Sequence, residues 1–208
     1  MTCIVGIPDG TNVWLGGDSA GVAGYSLVVR ADQKVFRSGE FVMGFTDSFR
    51  MGQLLRFSLK PPACEEGSDL FAYMCGPFVD AVRDCLKAGG YARRRDETEE
   101  GGNFLVGYRG RLFEVCSDYQ VGETASGFNA VGCGAAVALG ALEAQRMLAP
   151  ETSQRPDSRL CPELSLLRAL HAAEAWNTGV RGPFHVVSTA STATTPTGPS
   201  APKGRCRP

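Results

Sequence analysis

The order of the predicted strands and helices indicates an α+β fold, a four-layer αββα sandwich of two antiparallel sheets flanked by helix pairs. Three observations predict this fold. β-rich runs fill the first 45 residues, two stretches with helical spacing follow them, and strands, two more helices and a last strand then complete the chain. Two sheets that pack on each other, each covered outside by a helix pair, bury every apolar face of these elements.

The chain is predicted to begin with a β-hairpin. The apolar runs Thr2–Ile7 and Asn12–Gly16 flank Pro8–Thr11, whose Pro, Asp and Gly are typical turn residues. The elements predicted next are strands at 26–29, 34–36 and 40–45, a helix over 48–59, and a longer helix that starts at Ser68, has Asp69 in its first turn and ends at Gly89. This half of the chain therefore holds several strands and the first helix pair.

The second half contains the same kinds of element. The charged stretch 91–100 alternates in sign by blocks, which is typical of a solvated loop. The elements predicted after it are strands at 103–108 and 111–115 joined by Arg109-Gly110, a strand at 128–131, helices over 135–148 and 162–176 around a polar loop at 151–159, and a last strand at 183–188. Residues 1–188 are interpreted as one domain, and the Ser/Thr/Pro-rich segment 189–208 as a disordered tail.

Composition excludes several classes of function. A formal net charge of −1 with 43% hydrophobic residues is ordinary for a soluble globular protein, and it gives no basic excess for binding nucleic acid. The 8 cysteines form no C-x-x-C pair and there are only 2 histidines, so neither a structural zinc nor another cofactor is expected. No secretory signal and no apolar run of about 18 residues is present. These features predict a cytoplasmic protein without membrane contact.

The start of the chain suggests nucleophilic chemistry. Thr2 follows Met1, and a small second residue generally permits removal of the initiator methionine. The exposed α-amine, with an ordinary pKa of roughly 7.7–8.0, is then a general base for the hydroxyl of the same residue. A lysine would keep that amine neutral, and a carboxylate would keep a buried lysine charged. Asp18 and Lys34 are the candidates for this pair, and Gly44, expected in a strand-to-helix turn, for the backbone donor to an oxyanion.

These residues resemble those of proteasome β-subunits and bacterial HslV-type peptidases, which are N-terminal-nucleophile (Ntn) hydrolases. The resemblance covers about residues 2–188 and rests on the following segments: Thr2 before an apolar strand, Gly17-Asp-Ser19, Lys34-Val-Phe36, Val42-Met-Gly-Phe-Thr46, Leu105-Val-Gly-Tyr-Arg-Gly-Arg-Leu-Phe113 and Asn129-Ala-Val-Gly-Cys-Gly134. Asp18 and Lys34 stand at the family's spacing from the threonine.

The resemblance implies a threonine endopeptidase that cuts protein or peptide substrates inside a homo-oligomeric ring, with two stacked rings expected. Thr2 resembles the nucleophile, Asp18 and Lys34 the pair that tunes it, and Gly44 the oxyanion donor. The residues that resemble the substrate-binding segments are Ser19, Ala20, Val22 and Thr46. An ATPase unfoldase is a plausible partner for such a ring, although no feature of this chain indicates one.

Two positions depart from the family's pattern. Cys133 stands where the family usually has a serine near the threonine amine, and a thiol is a weaker hydrogen-bonding group than a hydroxyl. The family's later aspartate falls within Glu174–Gly179, where Asn177 is the best match.

Three alternatives stay open beside the endopeptidase. The first is a non-catalytic ring-forming protein with the same fold, which Cys133 and the missing aspartate favour. The second is an Ntn amidohydrolase that acts on a small amide. The third is a serine hydrolase, because Gly17-Asp-Ser-Ala-Gly21 fits the G-x-S-x-G pattern with Ser19 as nucleophile and His171 or His185 as base. That motif requires a helix after the serine, whereas glycines and β-branched residues follow here.

Overall fold

Two antiparallel sheets lie face to face in the computed structural model, which describes residues 1–95, 97–148 and 161–190. The strands are β1 (Ile4–Pro8), β2 (Val13–Gly17), β3 (Ala20–Ala23), β4 (Ser26–Val29), β5 (Val35–Ser38), β6 (Phe41–Phe45), β7 (Arg93–Arg95), β8 (Thr98–Glu100), β9 (Phe104–Tyr108), β10 (Arg111–Val115), β11 (Val121–Gly122), β12 (Asn129–Val131) and β13 (His185–Ser188). The helices are α1 (Phe49–Phe57), α2 (Leu70–Tyr73), which continues through a π-helical segment (Met74–Phe78) into α3 (Val79–Ala88), α4 (Ala135–Leu148) and α5 (Pro162–Trp176).

The first sheet is four-stranded in the order β12-β1-β2-β13, and the second is five-stranded in the order β11-β10-β9-β6-β5. Branched and aliphatic side chains of both sheets fill the space between them, among them Ile4, Val13, Leu15, Val42 and Leu105. Helices α4 and α5 cover the outer face of the first sheet, and α1 with α2–α3 covers that of the second. The predicted four-layer αββα sandwich is therefore confirmed.

Most of the predicted elements are present at nearly their predicted bounds. The first hairpin pairs Ile4 with Gly17, and α4 and α5 have the predicted limits. The turn between β9 and β10 has positive φ at Arg109 and Gly110, as a tight hairpin turn requires. Asp69 is the N-cap of α2, where its carboxylate accepts from the N–H of Phe71, and does not lie in the first turn as predicted.

Four short strands, β3, β7, β8 and β11, were not predicted. The stretch 91–100, expected to be a loop, contains the hairpin β7–β8, in which Arg93 pairs with Glu100. β11 adds two residues to the second sheet, and β3 pairs with β4 as a separate two-stranded hairpin. The polar loop 151–159 lies outside the described residues, as does the expected tail beyond Ala190. Thr189 still pairs with Val13, one residue past the expected domain boundary.

None of the helices in the described part of the chain combines the length and the apolar composition that a membrane span requires.

Gly44 is a point of close contact between the two sheets, where it faces Ile4. A Cβ atom on Gly44 would lie 2.5 Å from Ile4 Cγ2 and 3.0 Å from Val35 Cγ1. We therefore expect Gly44→Ala to lower the free energy of unfolding by about 1–3 kcal/mol through overpacking. Gly122→Ala is the matched control, because a Cβ there meets nothing within 4 Å. Urea unfolding of both variants measures the difference, and equal stabilities would contradict the prediction.

Candidate active site

Thr2 lies two residues before the start of β1, and only 5% of its surface is exposed. Its hydroxyl oxygen is 3.0 Å from Lys34 Nζ, which donates to it. The same hydroxyl donates to the carbonyl oxygen of Met1. A threonine side chain with an ammonium group at hydrogen-bond distance is the arrangement that a lysine-assisted nucleophile requires.

Lys34 and Asp18 form a buried ion pair behind the threonine. Lys34 Nζ lies 2.8 Å from Asp18 Oδ1, and the side chains are 1% and 0% exposed. The carboxylate also accepts backbone N–H groups from Cys3 at 3.0 Å, Ala20 at 2.9 Å and Arg181 at 3.4 Å. Burial lowers the pKa of Lys34, and the charge of Asp18 opposes that effect. Asp18 therefore both fixes the start of β1 and holds the lysine toward Thr2.

Cys133 and Asn177 lie on the other side of Thr2. The backbone N–H of Thr2 donates to Cys133 Sγ at 3.2 Å, and the thiol lies 3.2 Å from Asn177 Oδ1. Asn177 Nδ2 returns a hydrogen bond of 2.8 Å to the Cys133 carbonyl. The chain reaches this position through Gly132, whose φ is +100° and where a Cβ would lie 2.2 Å from the Thr2 carbonyl oxygen. The two positions that depart from the family pattern thus contact each other, and Cys133 also contacts the nitrogen of Thr2.

Gly44 does not lie in a strand-to-helix turn, and this expectation was wrong. It is inside β6, paired with Val35 on one side and Leu105 on the other. Its lack of a side chain serves the packing of Ile4, as described above. A glycine in a short apolar segment fits a turn and a close packing contact equally well, so the sequence does not distinguish them.

The turn that leads into α1 is Thr46–Ser48. Thr46 donates its N–H to the Asn103 carbonyl at 3.0 Å, and Ser48 donates its N–H to the Thr46 carbonyl. Between them Asp47 has a φ of +57°, and its N–H has no acceptor within the described residues. Sequence reasoning missed Asp47, although an Asp-Ser pair before a helix is the kind of signal that marks free N–H groups at a helix start.

A cavity of about 70 Å³ opens beside Thr2. Ala20, Val22 and Thr46, three of the predicted substrate-binding residues, line it together with Thr2 and Lys34. Ser19 does not line it, which corrects the prediction for this residue. It is 1% exposed, and its hydroxyl donates to the Pro183 carbonyl at 2.6 Å.

The burial of Ser19 also bears on the serine-hydrolase alternative. A nucleophile elbow exposes its serine between a strand and a helix. Here the strand β3 follows Ser19, and the serine hydroxyl is enclosed. Ser19 is therefore not placed as a nucleophile.

No group of three or more His, Cys, Asp or Glu residues in the described ranges is arranged to hold a metal ion. The described site is thus composed of Thr2, the Lys34–Asp18 pair, the Cys133–Asn177 pair and the turn at Asp47.

Comparison with solved structures defines the class of fold to which this site belongs. The fold is that of the proteasome-like proteins, as the sequence resemblance implied. Thiobacillus denitrificans BPH has a TM-score of 0.67 at 19% identity, over 89% of this chain and 96% of that one. HslV from Trypanosoma brucei has a TM-score of 0.59 at 18% identity, over 89% and 98%. Anbu from Yersinia bercovieri, an ancestral beta-subunit, has a TM-score of 0.59 at 14% identity, over 89% and 80%. No protein-family model and no curated sequence matches the chain.

Proposed function

We propose that the chain is a threonine-type endopeptidase of the proteasome-like Ntn class, with Thr2 as nucleophile after removal of Met1. One observation carries this proposal. Thr2 Oγ1 lies 3.0 Å from the ammonium group of Lys34, which is in turn fixed by the buried carboxylate of Asp18. A fully buried ion pair is expensive to maintain and weak evidence of stability alone, so its contact with a threonine next to the initiator Met favours a chemical role.

The reaction follows from the positions of these groups. Once Met1 is removed, the Thr2 nitrogen is an α-amine and accepts the hydroxyl proton directly or through one water. The alkoxide forms a bond to the carbonyl carbon of a peptide, and the amine then protonates the leaving nitrogen as the C–N bond breaks. The resulting ester is hydrolysed by a water that the same amine deprotonates. The positive charge of Lys34 favours the neutral form of the amine and stabilises the developing alkoxide.

The Cys133–Asn177 pair orients the amine in this proposal. Cys133 Sγ lies 3.2 Å from the Thr2 nitrogen, and Asn177 holds Cys133 through its thiol and its carbonyl. A thiol gives a weaker hydrogen bond than a hydroxyl, so the amine is held with less directional force than by a serine.

We assign the oxyanion donor to the N–H of Asp47 and not to that of Gly44. Asp47 lines the same cavity as Thr2 and Lys34, and its N–H lacks an acceptor in the part of the chain that the structure describes. The Gly44 backbone lies within the paired part of β6. A non-glycine residue at positive φ is strained, and such strain often accompanies a functional backbone position.

The structural neighbours support the reaction class and the assembly. BPH has been solved in complex with Epoxomicin, and Anbu is described as a beta-subunit, hence a part of an assembly. The hairpin β3–β4 of this chain exposes Tyr25, Leu27, Val28 and Val29 to solvent. A homo-oligomeric ring would cover such an apolar surface. A cytoplasmic location and an ATPase partner stay predictions.

The proposal is tested by intact mass before and after incubation with a peptide epoxyketone. We expect the purified protein to lack Met1 and to gain one inhibitor mass at Thr2, and native mass spectrometry of the same sample to give a homo-oligomer. Retention of Met1 together with the absence of an adduct would contradict the endopeptidase.

One observation favours the non-catalytic alternative. In the chain that retains Met1, the Met1 carbonyl accepts from the Thr2 hydroxyl and lies 3.4 Å from Lys34 Nζ. The Thr2 hydroxyl and the Lys34 ammonium group then both donate to the Met1 carbonyl, and the Thr2 nitrogen is an amide that cannot act as a base. The mass measurement separates this state from the processed enzyme.

Alkylation of Cys133 is expected to inactivate the enzyme by at least about tenfold, since it adds a bulky group to a sulfur that contacts the Thr2 nitrogen. Cys133 is exposed, whereas Cys3 is fully buried and burial raises its pKa to about 12, so its thiol stays protonated at pH 8. Iodoacetamide labelling with peptide mapping and an activity assay measures both effects.

Cys133→Ser keeps a hydrogen-bonding side chain and is expected to resist iodoacetamide, whereas Cys75→Ser, at another exposed cysteine, is not. Full labelling of Cys133 without loss of activity would show that the sulfur does not position the amine.

A further inference from the structure

Two aromatic rings separate the cavity beside Thr2 from a second cavity. The second cavity has a volume of about 90 Å³ and is lined by Asp32, Gln33, Phe45, Phe49, Gly52, Gln53, Arg56 and Phe57. Phe45 and Phe49 line both cavities. Their rings meet edge to face, with centroids 5.7 Å apart, and together form the partition.

The two rings of this partition differ in their freedom to move. Phe45 is 5% exposed and packs directly on Gly52, where a Cβ would lie 2.2 Å from its ring. Phe49 is only half-buried and is the first residue of α1. A displacement of Phe45 would disturb the core, whereas a displacement of Phe49 would join the two cavities. Phe49 is therefore the part of the partition that a substitution can remove.

Charged groups next to the Phe49 ring hold it in place. The Arg30 guanidinium lies 4.1 Å from the centroid of the Phe49 ring, which is cation–π contact. Asp32 fixes the guanidinium with two hydrogen bonds, of 2.6 Å to Nε and 2.7 Å to Nη2. The arginine stem lies against Gly21, where a Cβ would be 3.0 Å from Arg30 Cγ.

The partition lies where a substrate side chain would go. Lys34 Nζ is 3.0 Å from Thr2 Oγ1 and 5.8 Å from the centroid of Phe49. A substrate side chain that enters the 70 Å³ cavity beside Thr2 would therefore meet Phe49. Met1, which also lines this cavity, is absent from the processed chain. The cavity is lined by Ala20, Val22, Thr46 and Ser48 together with the polar groups of Lys34 and Asp47, so its small volume, and not an apolar lining, limits the side chain that fits.

We propose that Phe49, held in place by Arg30 and Asp32, is a specificity-determining residue that restricts the side chain on the acyl side of the cleaved bond to small groups. This inference rests on the proposed peptidase function, because only a peptidase uses the pocket to select the bond that it cleaves. The pocket itself is a feature of the structure. Removal of the Phe49 ring joins the two cavities and more than doubles the space available to that side chain.

Binding in an inactive background tests the pocket without requiring catalysis. Thr2→Ala protein, freed of Met1 with a methionine aminopeptidase, is titrated with acetylated tripeptides that end in Ala, Leu or Phe. We expect the Ala peptide to bind at least about tenfold more tightly than the Phe peptide, and Phe49→Ala in this background to abolish or reverse the difference. Arg30→Gln, which removes the cation–π contact but keeps the Phe49 ring, is expected to change the Ala-to-Phe binding ratio in the same direction by a smaller factor.

Phe71→Ala is the matched control, because Phe71 is a partly exposed phenylalanine on α2 that lines neither cavity. The proposal is overturned if no peptide binds, if the Ala-to-Phe ratio is the same in all variants, or if Phe71→Ala changes it as much as Phe49→Ala does. If Phe49→Ala does not fold, the ratio in Arg30→Gln decides.

Turnover of matching fluorogenic peptides by the enzyme with Thr2 intact separates the two proposals. If binding changes as expected but no peptide is cleaved, the proposed peptidase function is refuted and the proposed role of Phe49 in binding is retained. If peptides are cleaved but Phe49→Ala does not alter the preference among them, the proposed role of Phe49 is refuted and the proposed peptidase function is retained.

Discussion

Replacing Thr2 with Ala is expected to lower kcat/KM for a peptide substrate by at least about 10³-fold, because it removes the only group proposed to form the covalent intermediate. Thr2→Ser keeps a hydroxyl within reach of Lys34 and is expected to retain measurable activity. The side chain of Thr2 contacts only Met1 and Lys34 through hydrogen bonds in the described structure, so neither change should prevent folding.

A fluorogenic peptide assay, with circular dichroism as the check on folding, measures this difference. Activity of Thr2→Ala equal to that of the wild type would point to a contaminating protease or to another nucleophile. Loss of activity in Thr2→Ser to the level of Thr2→Ala would show that the hydroxyl alone is insufficient.

Replacing Asp18 with Ala is expected to destabilise the fold by about 3–5 kcal/mol, since it leaves a buried ammonium group without its partner. It also leaves the N–H groups of Cys3, Ala20 and Arg181 without their acceptor. Lys34→Met should destabilise less, because the carboxylate keeps those backbone donors and the methionine fills the space of the lysine stem. Both variants are expected to be inactive.

Urea unfolding monitored by tryptophan fluorescence measures the order of these two effects. Asp32→Ala is a suitable control, because Asp32 forms an ion pair that is partly exposed to solvent, and its loss should change stability by less than about 1 kcal/mol. A smaller loss of unfolding free energy for Asp18→Ala than for Lys34→Met would mean that the lysine, and not the carboxylate, organises the site.

The fold could be predicted because its elements have clear periodicity and clear ends. Pro162 is a residue that suits the first turn of a helix, and α5 begins there. By contrast β3 has no apolar alternation and pairs only with β4, so its strand character comes from the hairpin and not from its own residues. The hairpin β7–β8 was missed because its charges resemble those of a solvated loop.

The candidate site could be predicted where it depends on spacing and not where it depends on packing. Thr2, Asp18 and Lys34 were expected together and the structure brings them together. The sequence placed Gly44 in a turn because the contact with Ile4, which comes from the opposite sheet, is not visible in a local pattern. It also placed Ser19 in the substrate cleft, although the carbonyl of Pro183, far along the chain, encloses its hydroxyl.

The close approach of the two sheets has a consequence for the tolerance of the protein to sequence change. Gly17, Gly44 and Gly107 each face a side chain of another strand within 3.0 Å of the position of a Cβ atom. The position of β1, and of Thr2 just before it, is therefore fixed by tight packing. A methyl group added at one of these glycines is expected to shift Thr2 relative to Lys34. Substitutions on the outer helices should accordingly be tolerated, whereas substitutions between the sheets should lower the proposed activity. The rate of catalysis would then depend on how well the core side chains are aligned.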